Sequence, residues 1–179
     1  MTEVGLRYGE SLYELAKEEN LSQHIGEELK VLQLSFRQEP DFVRLLASPT
    51  LTKMERCQIL DDCFRGKVHP YLLNFLKILT EKSYIRHFCD CCDAFADRYR
   101  EDHGILSVTA VTAVELSQAQ AEKLTQKLSR ITGKTIELHN RIDPSCLGGV
   151  SLDYDGQRLD DTVSHRLNAI RDLLRTDVL

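Results

Sequence analysis

Seven consecutive residues, His87-Phe88-Cys89-Asp90-Cys91-Cys92-Asp93, hold three thiols, an imidazole and two carboxylates. Two chemistries would suit such a set: binding of a zinc ion, or cycling of a disulfide. The stretch has helical periodicity, and each helical residue turns by about 100°. Cys89 and Cys91 then point roughly 160° apart and cannot share an ion. His87 and Cys91 share one side and Cys89 and Cys92 another, which gives two ligands where structural zinc takes four. A redox Cys89-x-x-Cys92 needs its first thiol at a helix N-terminus, where the dipole lowers the thiol pKa. The periodicity instead starts this helix at Ile85 and sets Cys89 a turn inside it. Ile85, Phe88, Cys92, Phe95 and Tyr99 follow one stripe, so Cys92 reads as a small apolar core residue. The spacing favours packing, with a cysteine-based metal-binding or redox protein as the alternative. Cys57, Cys63 and Cys146 have no evident partners and read the same way.

Other chemistry-bearing residues form no recognisable set. Gly148-Gly149 lacks phosphate-loop spacing and has no following Lys-Ser/Thr, so it reads as turn geometry. Asp153, Asp155, Asp160 and Asp161 lack calcium-loop spacing. Asp160-x-Thr162 suits a helix start, where side-chain oxygens accept free amides. His24, His69, His103, His139 and His165 lie apart, with no nucleophile placed by motif. The expectation is no enzyme, no catalytic residue, no metal site and no cofactor.

The 179 residues allow one large domain or two small ones, and 42% hydrophobic against 28% charged residues indicates a folded, helix-rich chain. Residues 1–104 carry 14 Lys+Arg against 18 Asp+Glu, and 105–179 carry 9 against 10. Neither part has the positive field of a nucleic-acid binder, so no nucleic-acid partner is expected. The longest uncharged run, Gly104–Val114, falls short of the roughly 18 apolar residues a membrane span requires. The N-terminal segment has no apolar core like that of a signal peptide, and the chain is expected in a bacterial-type cytosol with its thiols reduced.

The elements that must position these residues follow from apolar periodicity. Tyr8, Leu12 and Leu15 mark a first helix, and Leu21, Ile25, Leu29, Leu32 and Phe36 a second. Pro40-Asp41 opens a third, carrying Phe42, Leu45 and Leu46 and ending at Ser48-Pro49. Thr52-x-x-Glu55 is a capping box for a fourth through Phe64. A fifth spans about Pro70 to Ser83 and a sixth Ile85 to His103, stopped by Gly104. Past Gly104, Ile105–Val114 reads as a strand covered on both faces. Ser117 caps a helix with the stripe Ala121, Leu124, Leu128 and Ile131, ended by Gly133. Ile136, Leu138, Asn140 and Ile142 alternate along a second strand. Val150, Leu152 and Tyr154 form a third, whose Asp155-Gly156 turn sets Leu152 opposite Leu159. A last helix has the stripe Val163, Leu167, Ile170 and Leu174. The expected fold is mainly α: an N-terminal six-helix bundle followed by a small α/β C-terminal domain.

In the fifth helix, Tyr71, Leu72, Leu73, Phe75, Leu76, Ile78 and Leu79 cover roughly 220°, about twice the stripe a surface helix needs. Either the bundle buries this helix centrally, or one edge lines a groove for a partner helix. Gly5 and Gly9 cost about 1 kcal/mol each relative to alanine, tolerable where another helix approaches closely.

Four stretches, in order and over nearly the whole chain, carry a family resemblance. They are Arg7-Tyr8-Gly9-Glu10-Ser11-Leu12, Leu45 through Lys53, Asn74 through Glu81, and Asp143-Pro144-Ser145-Cys146-Leu147-Gly148-Gly149-Val150 running on to Asp160-x-Thr162 and Arg166-Leu167. Together they resemble the delta subunit of bacterial F-type ATP synthase, related to the mitochondrial oligomycin-sensitivity-conferring protein. The chain departs from the family at Tyr84, usually basic, at Asp161-Thr162, usually Gly-Ser, and at Cys92 and Cys146, usually aliphatic.

The resemblance implies a non-catalytic connector in the stator, peripheral at the cytoplasmic side of a bacterial cell membrane and not inserted in it. In the family the catalytic head is held still while the rotor couples proton or sodium translocation to ATP synthesis. Residues 1–104 would bind the N-terminal helix of one α subunit between the first and fifth helices. Residues 105–179 would bind the b subunits of the peripheral stalk through residues the sequence leaves unnamed. Matching positions assign the α contact to Tyr8, Ser11, Leu12, Leu15, Asn74, Ile78 and Glu81, with the first-helix glycines beside the groove. Because the caps and stripes of the first six helices all lie before Gly104, a 1–104 fragment should melt cooperatively by circular dichroism. A broad, featureless melt would place the boundary elsewhere.

Overall fold

The computed structural model describes residues 2–154, 156–163, 165 and 167. Ile170 and Leu174 of the expected last stripe, Asp155 of the hairpin turn and Arg166 lie outside the described residues. The chain forms two compact units, residues 1–99 and 100–179. The first is helical and the second a small α/β unit, in keeping with the expected class.

The first unit holds α1 (Glu3–Glu18), α2 (Ser22–Gln38), α3 (Pro40–Leu46), α4 (Lys53–Phe64), α5 (Pro70–Glu81) and α6 (Phe88–Asp102), which runs on into the second unit. The Thr52 hydroxyl accepts from Glu55 N–H while the Glu55 carboxylate accepts from Thr52 N–H at 2.8 Å, so both arms of the capping box are made. Buried Arg56 donates from Nη1 to the Leu46 carbonyl at 3.1 Å, placing a positive charge at the carbonyl end of α3. The core gathers Tyr13, Ile25, Leu72, Leu76, Phe88 and Phe95 with their neighbours, and the Tyr13 and Phe95 rings meet edge to face at 5.3 Å.

Two expectations change here. The sixth helix starts at Phe88 rather than Ile85, because Ser83, at φ +62°, ends α5 and Ile85–His87 is drawn into a 3-10 turn. Cys89 therefore stands in the first turn of α6, not a turn inside the helix. The close neighbour of Gly5 and Gly9 is α6 of the same chain, not an outside helix. A Cβ at Gly9 would lie 2.7 Å from the Ala94 Cβ and collide with the Cys91 carbonyl, and one at Gly5 would collide with Asp90. The about 1 kcal/mol each glycine costs is offset by backbone contact that no larger residue permits. The same corner is tied by hydrogen bonds. Thr2 caps α1 by accepting from Gly5 N–H, and donates to Asp90 Oδ2 from its amide at 3.0 Å and its hydroxyl at 2.6 Å.

The second unit is a four-stranded sheet of order β2-β1-β3-β4, with β1 Ile105–Thr112, β2 Thr135–Ile142, β3 Val150–Tyr154 and β4 Gln157–Asp160. β1 and β2 are parallel, joined through α7 (Gln118–Thr132), and the other pairings are antiparallel. Ser117 and Gln120 form a capping box, and Gly133 closes α7 at φ +69°. Leu152 stands opposite Leu159, the expected register. Leu124 and Leu128 pack on Leu106, Val108, Ala110 and Ile136.

Three details differ from expectation. β1 alternates buried and half-buried residues over most of its length, so only its end is covered on both faces. Ile131 and Ile142 are exposed, because α7 is amphipathic with only its Leu124/Leu128 ridge against the sheet and Ile142 lies at the end of an edge strand.

Thr2 donating two hydrogen bonds holds the Asp90 carboxyl below the usual carboxylate range. A depressed folded pKa contributes stability that is present above the unfolded value, about 3.9, and is lost as pH falls through the folded one. Asp90→Ala should thus lower the melting temperature at pH 7, and the gap from wild type should close below about pH 4. A gap that persists undiminished in acid would mean that packing, not the ionised carboxylate, holds this corner.

Candidate functional site: a groove between the first and fifth helices

α1 and α5 are spaced by the residues between them. Leu12 and Phe75, each almost fully buried, form a floor that keeps the two helices from closing on each other. Above it a groove of about 390 Å³ opens to solvent, walled by Arg7, Tyr8, Ser11 and Leu15 of α1 and Tyr71, Asn74 and Ile78 of α5. The rim is exposed: Leu15 is 39% and Ile78 45% accessible, large fractions for aliphatic side chains on an ordered helix. Ser11 turns its hydroxyl back onto the Arg7 carbonyl at 2.8 Å, which leaves a small neutral rim at that turn. Tyr8 is propped by Tyr84, ring to ring at 5.9 Å.

The structure brings together Tyr8, Ser11, Leu12, Leu15, Asn74 and Ile78, six of the seven residues assigned from the sequence. Glu81 stands apart from the groove, where its carboxylate accepts from the Cys57 thiol at 3.8 Å. Arg7, Tyr71 and Phe75 line the groove without having been assigned. Tyr71 and Phe75 were visible in the broad apolar arc, but the arc cannot say which of its residues meet the core and which a groove. Most of α5 is in fact central, with Leu72, Leu76 and Leu79 fully buried, and only the Tyr71–Ile78 edge is left over. The arc is divided, one side packed in the core and the other edge lining an open groove. The groove thus has an apolar floor and a largely polar rim that includes the Arg7 guanidinium.

The cysteine stretch assembles no comparable site. Cys91 and Cys92 are both buried, Cys91 beneath Gly9, which the stripe had not anticipated. Burial, reinforced by the Asp90 charge, pushes the Cys91 thiol up to about 12, and burial pushes Cys92 further still. Neither is a thiolate at neutral pH, the form that attacks disulfides or binds zinc. Cys89 is half-buried, its carbonyl accepting from Gln33 Nε2 at 3.3 Å. Among the described residues no group of three His, Cys, Asp or Glu side chains is placed to hold a metal ion.

In the second unit, the Gly-Gly and Asp-x-Thr segments meet. A Cβ on Gly149, at φ +80°, would press on the Asp161 carbonyl and on Thr162 Cα, 3.1 Å away, so only glycine lets these backbones close. Asp160 accepts from Thr162 N–H at 3.0 Å and Thr162 Oγ1 from His165 N–H at 3.2 Å, the helix-start geometry expected. Asp153 pairs with Arg158 at 2.8 Å and Arg141 at 3.6 Å, which occupies the carboxylate that a cation site would need.

Comparison with known proteins points one way. Residues 4–174 match the family model described as ATP synthase delta (OSCP) subunit. The chain is similar to the ATP synthase subunit delta of Alkaliphilus metalliredigens, 32% identical over 171 residues, covering 96% of this chain and 95% of that one. It is 30% identical to the same subunit of Clostridioides difficile over 172 residues, again 96% and 95% of the two chains. In fold it resembles a chain of the Toxoplasma gondii mitochondrial ATP synthase hexamer, with a TM-score of 0.75 over 97% of this chain and 98% of that one at 22% identity.

If the three thiols serve packing alone, Cys89→Ser should leave the melting temperature nearly unchanged and Cys92→Val should be tolerated, whereas Cys92→Asp should unfold the chain. Purified protein should carry no stoichiometric zinc by elemental analysis. One zinc per chain, lost in Cys89→Ser, would overturn this reading.

Proposed function

This chain belongs to the ATP synthase delta (OSCP) family and is a non-catalytic stator subunit, a peripheral component of the membrane-associated F-type synthase; within that role we propose that the α1/α5 groove grips the N-terminal helix of an α subunit. The six-helix bundle of residues 1–104 is the head-side grip and residues 105–179 hold the b subunits of the peripheral stalk. The complex lies on the cytoplasmic side of a bacterial membrane. No described helix is long and apolar enough to cross a membrane.

The observation that carries the proposal is the groove itself: six residues assigned from the sequence converge on one apolar recess between the two helices where the family pattern needs it. A stator subunit works by not letting go. Its task is mechanical: torque from the rotor is resisted only while the joint between head and stalk stays closed, so affinity and rigidity stand where an enzyme would have catalytic groups. A helix laid in such a groove buries on the order of 1,200–2,000 Å² in total, enough for a tight complex when a few anchors are fully covered. The groove is preformed, so little ordering entropy opposes binding.

Binding and stability can be separated by charge placement. Ser11 and Ile78 are exposed until the partner arrives, so a lysine at either is desolvated only on binding. Ser11→Lys and Ile78→Lys should each weaken an α N-terminal peptide by at least about tenfold, or ~1.4 kcal/mol, in calorimetric titration with little change in melting temperature. Leu76→Lys, at a fully buried position, should unfold the bundle instead. Wild-type affinity in both rim variants would place the α contact elsewhere.

A further inference from the structure

The exposed Asn74 side chain borders two recesses. One is the α1/α5 groove; the other, about 570 Å³, lies on the opposite flank of α5, between α2 and the 65–69 loop that joins α4 to α5. Its character is different. Where the groove is apolar, this recess holds Glu28, Asp61, Arg65, Lys67, His69 and Lys77.

Its two carboxylates already have partners, although the buried Asp61 Oδ1 makes no hydrogen bond. Glu28 Oε2 accepts from His69 N–H at 2.8 Å, and Glu28 Oε1 lies 3.2 Å from His24 Nε2. Asp61 Oδ2 takes the Lys77 ammonium at 2.8 Å, with Arg65 Nη2 at 3.5 Å from Oδ1. His69 Nδ1 accepts from Tyr71 N–H at 3.3 Å, so the neutral ring carries its proton on Nε2. What remains is a surplus of donors: the His69 Nε2–H, the outer N–H groups of Arg65, whose side chain is 76% exposed, and the exposed Lys67 ammonium, which has no ion pair among the described residues. With three cationic side chains, Arg65, Lys67 and Lys77, against two carboxylates, Glu28 and Asp61, the recess is complementary to a further carboxylate.

We propose that the helix seated in the α1/α5 groove continues past Asn74 and sets an acidic side chain among Lys67, Arg65 and His69. This rests on the groove reading and adds what the groove alone lacks. An apolar ridge in an apolar groove can slide by a turn at small cost, whereas one charge that finds its partners in a single register fixes the position of the helix. Continuity supplies the path, since Asn74 is the shared wall of both recesses, and charge supplies the partner's chemistry.

The test is calorimetric titration of the full chain with a peptide spanning the α subunit's N-terminal helix, at low and raised salt. Lys67→Glu, on an exposed loop, should weaken binding about tenfold with an unchanged melting temperature, and Lys67→Gln should flatten the salt dependence. A peptide whose carboxylates are replaced by amides should bind wild type as weakly and lose nothing further to Lys67→Glu, the signature of a shared contact in a double-mutant cycle. If Lys67→Glu binds like wild type while Ile78→Lys is weakened, the acidic contact is refuted and the groove stands. If neither variant is weakened, the groove reading falls and takes this one with it. An amidated peptide that binds as tightly as the native one also overturns the proposal.

Discussion

Everything the first unit presents to a partner depends on how closely α1 can approach α6. Gly5 and Gly9 remove the two side chains that would hold these helices apart, and the α1 backbone comes down onto Asp90, Cys91 and Ala94. Thr2 then fastens the helix start to Asp90 by two hydrogen bonds. With one side of α1 fixed against α6, its opposite flank cannot also close on α5. The groove is the space left between α1 and α5, floored by Leu12 and Phe75.

The fifth helix shows how a small domain can be both core and surface. Leu72, Leu76 and Leu79 make it central to the bundle, so its position is set by packing on several sides. Its Tyr71–Ile78 edge inherits that rigidity while remaining in solvent. A preorganised apolar edge gives up little conformational entropy on binding, which suits a joint that must hold under torque. The flanking recess around Lys67 would add direction to that grip, because a charge tolerates fewer registers than an apolar ridge does.

Cys91 and Cys92 serve packing rather than reactivity. Cys91 sits where the α1 backbone comes down onto α6, and Cys92 on the core stripe, and both are buried. Burial raises their pKa values and so suppresses the thiolate chemistry their clustering suggests. The second unit uses glycine in the same way. Gly149 admits the Asp161 carbonyl against its backbone and lets the Thr162 cap form, which joins the segment before β3 to the residues after β4.

The local physics of this chain was written in its sequence. Capping boxes at Thr52 and Ser117, the stop at Gly133, the Leu152/Leu159 register and the helical stripes are all decided within a few residues, by hydrogen bonds and periodicity that need no distant partner. Those stripes, with four ordered motifs, were enough to recover the family and most of the groove. Tertiary structure decided what periodicity cannot express. Spacing shows that Gly5 and Gly9 share a face, but not that α6 covers it; that Glu81 follows Ile78 by one turn, but not that it meets Cys57 of α4 instead of the groove; that Cys89 is helical, but not that Ser83 at positive φ delays the helix until Phe88. Each of these depends on which element lies opposite in space, and that is fixed only when all the helices compete for the same core.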